Sequence, residues 1–94
     1  MNALYKSPFR KFVKKQGRAF QLAIEDEVNA VLESPQAGEL KKGDLEGFRV
    51  HKFKFHKQEY LLAYVIRNKA VVFYMIGVHE NFYRGLKSYL KEVE

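Results

Sequence analysis

The sequence predicts an α+β fold: an N-terminal helical hairpin packed on a three- or four-stranded, mainly antiparallel sheet, followed by a C-terminal helix. Three observations predict it. Apolar residues recur at helical spacing as far as Leu32, the period changes to that of strands from Gly47, and helical spacing returns after Val78.

Taken in order, residues 3–6 are expected to form a short first strand. Ser7-Pro8 reads as a helix start, with serine as the cap and proline at the first helical position, where its missing donor costs nothing. Phe9, Phe12 and Val13 then share a face and Gly17 ends the turn, giving a helix over 8–16. A second helix is expected over 18–33, because Phe20, Ala23, Ile24, Val28, Val31 and Leu32 form one stripe and Pro35 stops it.

Strands are expected over 48–55, 60–67 and 70–78, joined by the short links Lys57-Gln58-Glu59 and Asn68-Lys69 and therefore antiparallel. The second and third are apolar on both faces and belong in the middle of a sheet. In the first, the apolar face switches after Val50: Phe48 and Val50 are even, Phe53 and Phe55 odd. A bulge near His51 and Lys52, or an edge strand leaving the core, would explain the switch. Phe82, Leu86, Tyr89, Leu90 and Val93 then mark the buried stripe of the last helix, with Arg84, Lys87 and Lys91 on its wet side.

Ninety-four residues, 47% of them hydrophobic and 14 aromatic, are enough for one domain with a packed core. The lack of cysteine excludes disulfides and thiolate metal sites and fits a reducing compartment. With no apolar leader and no run of membrane-spanning length, a soluble, cytoplasmic protein that engages no membrane is expected. The net charge of +6 calls for an anionic partner. Residues 1–18 hold six basic residues and no acid, 19–46 hold seven acids and two lysines, and 47–94 hold nine basic residues and four acids.

The densest functional signal is Phe48-Arg49-Val50-His51-Lys52-Phe53-Lys54-Phe55-His56-Lys57, which interleaves six potentially cationic groups with four apolar ones. Cations and imidazoles between aromatics at strand spacing suit a polyanion with stackable bases. A solvated edge strand blunted by lysine is the plainer alternative. His79 falls where a central strand gives way to a helix, a rigid position open to solvent; capping of that helix by His79 or Asn81 is the plainer reading. No acidic cluster for Mg²⁺ and no Cys/His set for zinc is readable, so no metal and no cofactor are expected.

The order helix, helix, three antiparallel strands resembles the RelE/ParE superfamily of bacterial toxin-antitoxin toxins. The motifs behind it are Leu45-Glu46-Gly47-Phe48-Arg49-Val50, then Tyr60-Leu61-Leu62-Ala63-Tyr64-Val65-Ile66, then Gly77-Val78-His79 with Phe82 and Tyr83 close behind. The resemblance spans nearly the whole chain. It implies the toxin of a type II system, neutralised by a cognate antitoxin. RelE-type members are metal-independent, ribosome-dependent endonucleases of mRNA in which the 2′-hydroxyl attacks the adjacent phosphate, and translation stops.

Carried over residue by residue, Arg49 matches the basic position after the L-x-G element, and Lys52 and Lys54 resemble the lysine pair of RelE-type members. His79 and Tyr83 resemble the histidine and terminal aromatic of YafQ-like members. The expected catalytic set is therefore His79, Tyr83, Arg49, Lys52 and Lys54, with His51 as a second proton partner. RNA contacts are expected from Lys52, Lys54, His56, Lys57, Arg67 and Arg84. Two departures stand out: Leu61 and Leu62 occupy a stretch where many RelE-type proteins carry arginine, and Glu80 follows His79 where arginine is common. Gyrase-inhibiting ParE proteins share the fold and lack the nuclease residues, so gyrase inhibition is the alternative activity. A non-catalytic basic RNA-binding domain is the alternative of a different class.

Overall fold

The computed structural model describes residues 1–93. Strand β1 (Asn2–Tyr5) leads into helices α1 (Ser7–Lys14) and α2 (Arg18–Glu33); a 3₁₀ turn at Pro35–Ala37 precedes the two-residue strand β2 (Glu39–Leu40). A second such turn at Gly43–Leu45 leads to β3 (Phe48–Phe55), β4 (Gln58–Arg67), β5 (Ala70–Gly77) and helix α3 (His79–Val93). The sheet has five strands in the order β1-β5-β4-β3-β2. Among the described residues no helix is long and apolar enough to cross a membrane.

The α+β class holds, and several details differ from expectation. β2 adds a strand that two residues are too few to announce; it pairs antiparallel with β3 through Glu39↔Val50 and Leu40↔Arg49. β1 pairs with β5 and runs parallel to it, which the long helical connection between them permits. Ser7 is not the cap of α1: Lys6 holds that position, with no side-chain cap, and Ser7 is the first helical residue. The β3–β4 turn is His56-Lys57 rather than 57–59, because Gln58 and Glu59 join the ladder opposite Phe55 and Lys54.

Helices cover both faces of the sheet. On one, α1 and α2 pack Phe9, Phe20, Ile24, Val28 and Val31 against Phe53, Leu62, Tyr64, Val71, Phe73 and Ile76. On the other, α3 packs Phe82 and Leu86 against Phe48, Val50, Leu61, Ala63, Val72 and Tyr74. Helix α3 folds back over β5, since Phe82 lies beside Gly77, Gly85 beside Met75 and Tyr89 against Tyr74.

This two-sided cover explains the switch of faces in β3 without a bulge there. Its register with β4 runs unbroken from Phe48↔Val65 to Phe55↔Gln58. Phe48 and Val50 lie under α3; Phe53 and Phe55 lie under the helical hairpin; Lys52 and Lys54 lie on the α3 face beyond the helix start, where nothing covers them. The irregularity falls instead on β5, where Ala63↔Met75 is followed by Tyr64↔Phe73. It turns Tyr74 and Met75 to the same side, so that Ile76 regains the hairpin face.

Candidate functional site

Where α3 leaves Lys52 and Lys54 uncovered, the start of α3 and the segment after β2 meet. His79 is the first residue of α3 and is exposed. One turn on, the half-buried Tyr83 meets the imidazole edge to face, with ring centroids 5.7 Å apart at 79°. Tyr83 is steadied by Phe82 at 5.2 Å, and Phe82 is 3% exposed in the core. From the other side Lys41, just past β2, places its Nζ 5.1 Å from the Tyr83 ring centroid. The backbone N–H of Lys41 donates to the Phe48 carbonyl at 2.8 Å, which fixes where that side chain starts.

Lys41 donates to Glu39 Oε1 at 2.9 Å. The pair shifts both groups toward their charged forms. A hydrogen bond from Lys41, then its charge, holds the Glu39 carboxyl below its ordinary value, with a smaller contribution from Lys52. The Lys41 ammonium is raised, first by Glu39 and then by Tyr83. Strand β3 reaches the same cluster, because Glu39 lies opposite Val50, two residues before Lys52. The register agrees: Lys52 faces Leu61, which faces Gly77, two residues before His79. With strands about 4.8 Å apart, Lys52 and Gly77 are separated by about 10 Å across the sheet. Lys54 continues the row, opposite Glu59.

The other expected site residues lie elsewhere. Arg49 is on the hairpin face, where Nη1 donates to the carbonyls of Gln36 at 3.0 Å and Gly38 at 2.9 Å. His51 shares that face, its Nε2 2.7 Å from Glu27 Oε1 on α2. His56 and Lys57 form the exposed β3–β4 turn, at φ +49° and +69°. Arg84 is exposed on α3 next to Tyr83. Arg67 is exposed at the far end of β4, six residues from Leu61 and therefore about 20 Å away. The sheet thus brings together Lys52, Lys54, His79 and Tyr83, and keeps Arg49 and His51 apart from them.

Lys41 is the member that sequence reasoning missed. Its only signal is the Lys41-Lys42 pair, set in the acidic middle segment. A well-defined concavity lies elsewhere, between α1 and α2, lined by Phe9, Arg10, Val13, Lys14 and Ile24 among others. Shape therefore does not lead to the cluster; chemistry does. Ammonium groups on one face of the sheet, beside an imidazole and a phenol, can hold an anion and move protons at its edge. Among the described residues no three His, Asp or Glu side chains converge as a metal site.

A small basic sheet covered by a helical hairpin on one face and by a C-terminal helix on the other is the framework of a class of bacterial toxins. The chain belongs to the ParE-like toxins of type II bacterial toxin-antitoxin systems, whose family model matches residues 4–87. The fold is that of E. coli RelE. The chain is 21% identical to a chain of the intact E. coli RelBE toxin-antitoxin complex, with a TM-score of 0.66 over 84% of this chain and 96% of that one. Against the isolated E. coli RelE toxin the TM-score is 0.65 at 19% identity, over 99% and 98% of the two chains. A conserved hypothetical protein of Helicobacter pylori matches at 0.51 and 20% identity, over 84% and 94%. No curated protein matches the chain.

Proposed function

We propose that this toxin is a metal-independent endoribonuclease that cleaves mRNA on the ribosome and thereby stops translation. The observation that supports it is the placement of Lys41 and His79 against Tyr83 on the same uncovered end of the α3 face as Lys52 and Lys54. In the reaction the 2′-oxygen bonds to the adjacent phosphorus while the P–O5′ bond breaks, leaving a 2′,3′-cyclic phosphate and a 5′-hydroxyl. One group takes the proton of the 2′-hydroxyl and another returns a proton to the departing 5′-oxygen. His79 and Tyr83 are the groups with that chemistry, and the lysines stabilise the charge that develops on the phosphoryl oxygens. Glu39 gives up Lys41 to the phosphate as RNA binds; its side chain is 60% exposed and free to swing out. Arg84, His56 and Lys57 extend the binding path. Arg49 and His51 are left out of the chemistry, because both are engaged on the opposite face.

The cytoplasm is the place of action, and a cognate antitoxin is the partner that neutralises the toxin. Such a partner brings acidic side chains to this cationic surface, so the affinity of the complex falls with salt. Gyrase inhibition is the second reading, and the ParE-like character of the matching family favours it. Primer extension on a reporter mRNA, with purified toxin and ribosomes, separates the readings when run beside a gyrase supercoiling assay. Discrete ribosome-dependent cuts with unaffected supercoiling are expected. Inhibited supercoiling without cuts transfers the function to gyrase, and neither effect leaves a non-catalytic RNA-binding domain.

A further inference from the structure

The tip of the β3–β4 hairpin carries a feature that the proposed chemistry does not use. The His56 ring lies flat on Phe55, with centroids 4.0 Å apart and planes at 11°, and Phe55 lies flat on Phe20, at 4.5 Å and 10°. Three rings thus form one parallel column. Its inner end is rooted in the core, where Phe20 is 7% exposed and wedged between Phe12 and Tyr60. Its outer end, His56, is exposed.

The backbone beneath is unusual. His56 and Lys57 both take positive φ, a turn that favours Asn-Gly. Lys57 is poorly suited to that conformation, and such outliers concentrate at functional positions. The exposed Lys57 lies in the same turn, whereas Lys54, across from Glu59 in the ladder, is on the opposite face of β3.

We infer that the His56–Phe55–Phe20 column is a stacking platform for one unpaired base of single-stranded RNA, with Lys57 of the same turn on a neighbouring phosphate. The inference rests on the reading of this chain as a toxin that acts on RNA and adds a binding subsite to it. An exposed ring face accepts any base, because every base has a π-face, and only unpaired bases can offer one. A core-rooted column suits this role because the ring is already held in place and loses little freedom on binding. Four residues of strand, about 13 Å, separate Lys52 on the α3 face from His56 at the tip, so an RNA strand that rounds the hairpin tip reaches both places. The platform tolerates any sequence but favours a purine, whose larger face overlaps the imidazole more fully.

The test is equilibrium binding of a short 2′-O-methyl oligoribonucleotide, which cannot be cleaved, carrying a single 2-aminopurine. His56→Asn removes the ring and keeps a residue that accepts positive φ, so the turn survives; an unchanged thermal melt checks this. His56→Tyr keeps an aromatic face. The wild type is expected to bind and to quench the fluorescence at one register of the probe. His56→Asn is expected to bind about 5- to 100-fold more weakly and without quenching, with His56→Tyr restoring both. An abasic site at that register should remove the difference between wild type and His56→Asn. Absence of binding by the wild type, or equal binding by His56→Asn, overturns the platform. So does weakened antitoxin binding with unchanged RNA binding, which assigns the column to a protein partner. Cleavage on ribosomes, measured in parallel, keeps the two readings apart. Cleavage without stacking counts against the platform alone, and stacking without cleavage counts against the nuclease alone.

Discussion

Lys41 Nζ stands 5.1 Å from the centroid of the Tyr83 ring, joining the short strand β2 to the first turns of α3. A cation over an aromatic face contributes about 0.5–1 kcal/mol at such a partly exposed place. Its larger consequence is positional. Lys41 stands where it does because β2 is anchored from the opposite face. There the buried Tyr64 hydroxyl donates to the Pro35 carbonyl and accepts the Gly38 N–H, and Arg49 donates to Gln36 and Gly38.

That anchoring makes Gly38 and Tyr64 remote controls of the site. A Cβ on Gly38 would fall on the Tyr64 hydroxyl, and Tyr64 is fully buried with no room to retreat. Gly38→Ala is therefore expected to destabilise the fold by about 1–3 kcal/mol through overpacking. Tyr64→Phe leaves the Gly38 N–H and the Pro35 carbonyl without this partner, at a cost of about 1–3 kcal/mol. Both should lower the thermal midpoint and weaken RNA binding through displacement of Lys41. An unchanged midpoint in both variants would remove this anchor from the account.

Arg49 and the lysine pair should separate in their salt dependence. If Lys52 and Lys54 neutralise phosphates as proposed, Lys52→Ala with Lys54→Ala should lower the slope of log affinity against log salt by about 0.7 for each phosphate of a single strand left without its lysine. Arg49→Ala should leave that slope unchanged and reduce stability by about 1.5–3 kcal/mol, since its charge-assisted bonds hold a loop. A reduced slope in Arg49→Ala would return this residue to the RNA surface.

The chemistry should follow His79. His79→Ala is expected to slow cleavage on ribosomes about 10²–10⁴-fold, and the double lysine variant about 10²–10³-fold. All three residues are exposed, so stability should move by less than about 1 kcal/mol. His51→Gln should keep cleavage within a few-fold of wild type, and EDTA should leave wild-type rates unchanged. Full activity in His79→Ala would dismiss its proton-transfer role, and loss of activity in EDTA would contradict the metal-free mechanism.

Stability against pH should be shaped at the two extremes. Burial, opposed by the Gly38 hydrogen bond and the nearby Arg49 charge, raises the Tyr64 hydroxyl above its ordinary 10.0. Lys41 is raised above 10.5 by Glu39 and Tyr83. For both, the folded state holds its proton more tightly than the unfolded one. Their contributions are intact below those values and are lost as pH rises through the folded ones. Glu39 is lowered from 4.5, so its contribution is present above that value and is lost as pH falls through the folded one. Thermal melts should show no effect of these three groups between about pH 5 and 9 and a decline above about pH 10. Tyr64→Phe should soften the alkaline decline; an identical decline in that variant would exclude Tyr64 as its source.

Local pattern is enough to read much of this protein. The stripe from Phe20 to Leu32 defines α2, the apolar runs of β4 and β5 define the centre of the sheet, and Phe82 with Leu86 defines the buried face of α3. These follow from periodicity, because a side chain's direction is set by its own backbone. Lys52, Lys54, His79 and Tyr83 are also legible as candidates, since cations at alternating positions and a histidine at a strand end show in one dimension.

Tertiary structure alone decided which candidates meet. Arg49, His51, Lys52 and Lys54 are neighbours in sequence, and the pleat sends the first two to one face and the last two to the other. Which face is the site depends on where α3 starts and what it leaves uncovered, and neither is written in β3. The unusual residue of β5 answers the packing of two helical layers, so the bulge falls there, while the alternation of β3, for which a bulge was one of two explanations, runs unbroken. Lys41 joins the cluster only through β2, a two-residue strand held by hydrogen bonds 11 to 29 residues distant in sequence. Composition, charge and period are properties of a chain and can be read along it. Convergence of side chains depends on contacts between distant segments, and those exist only once the chain has folded.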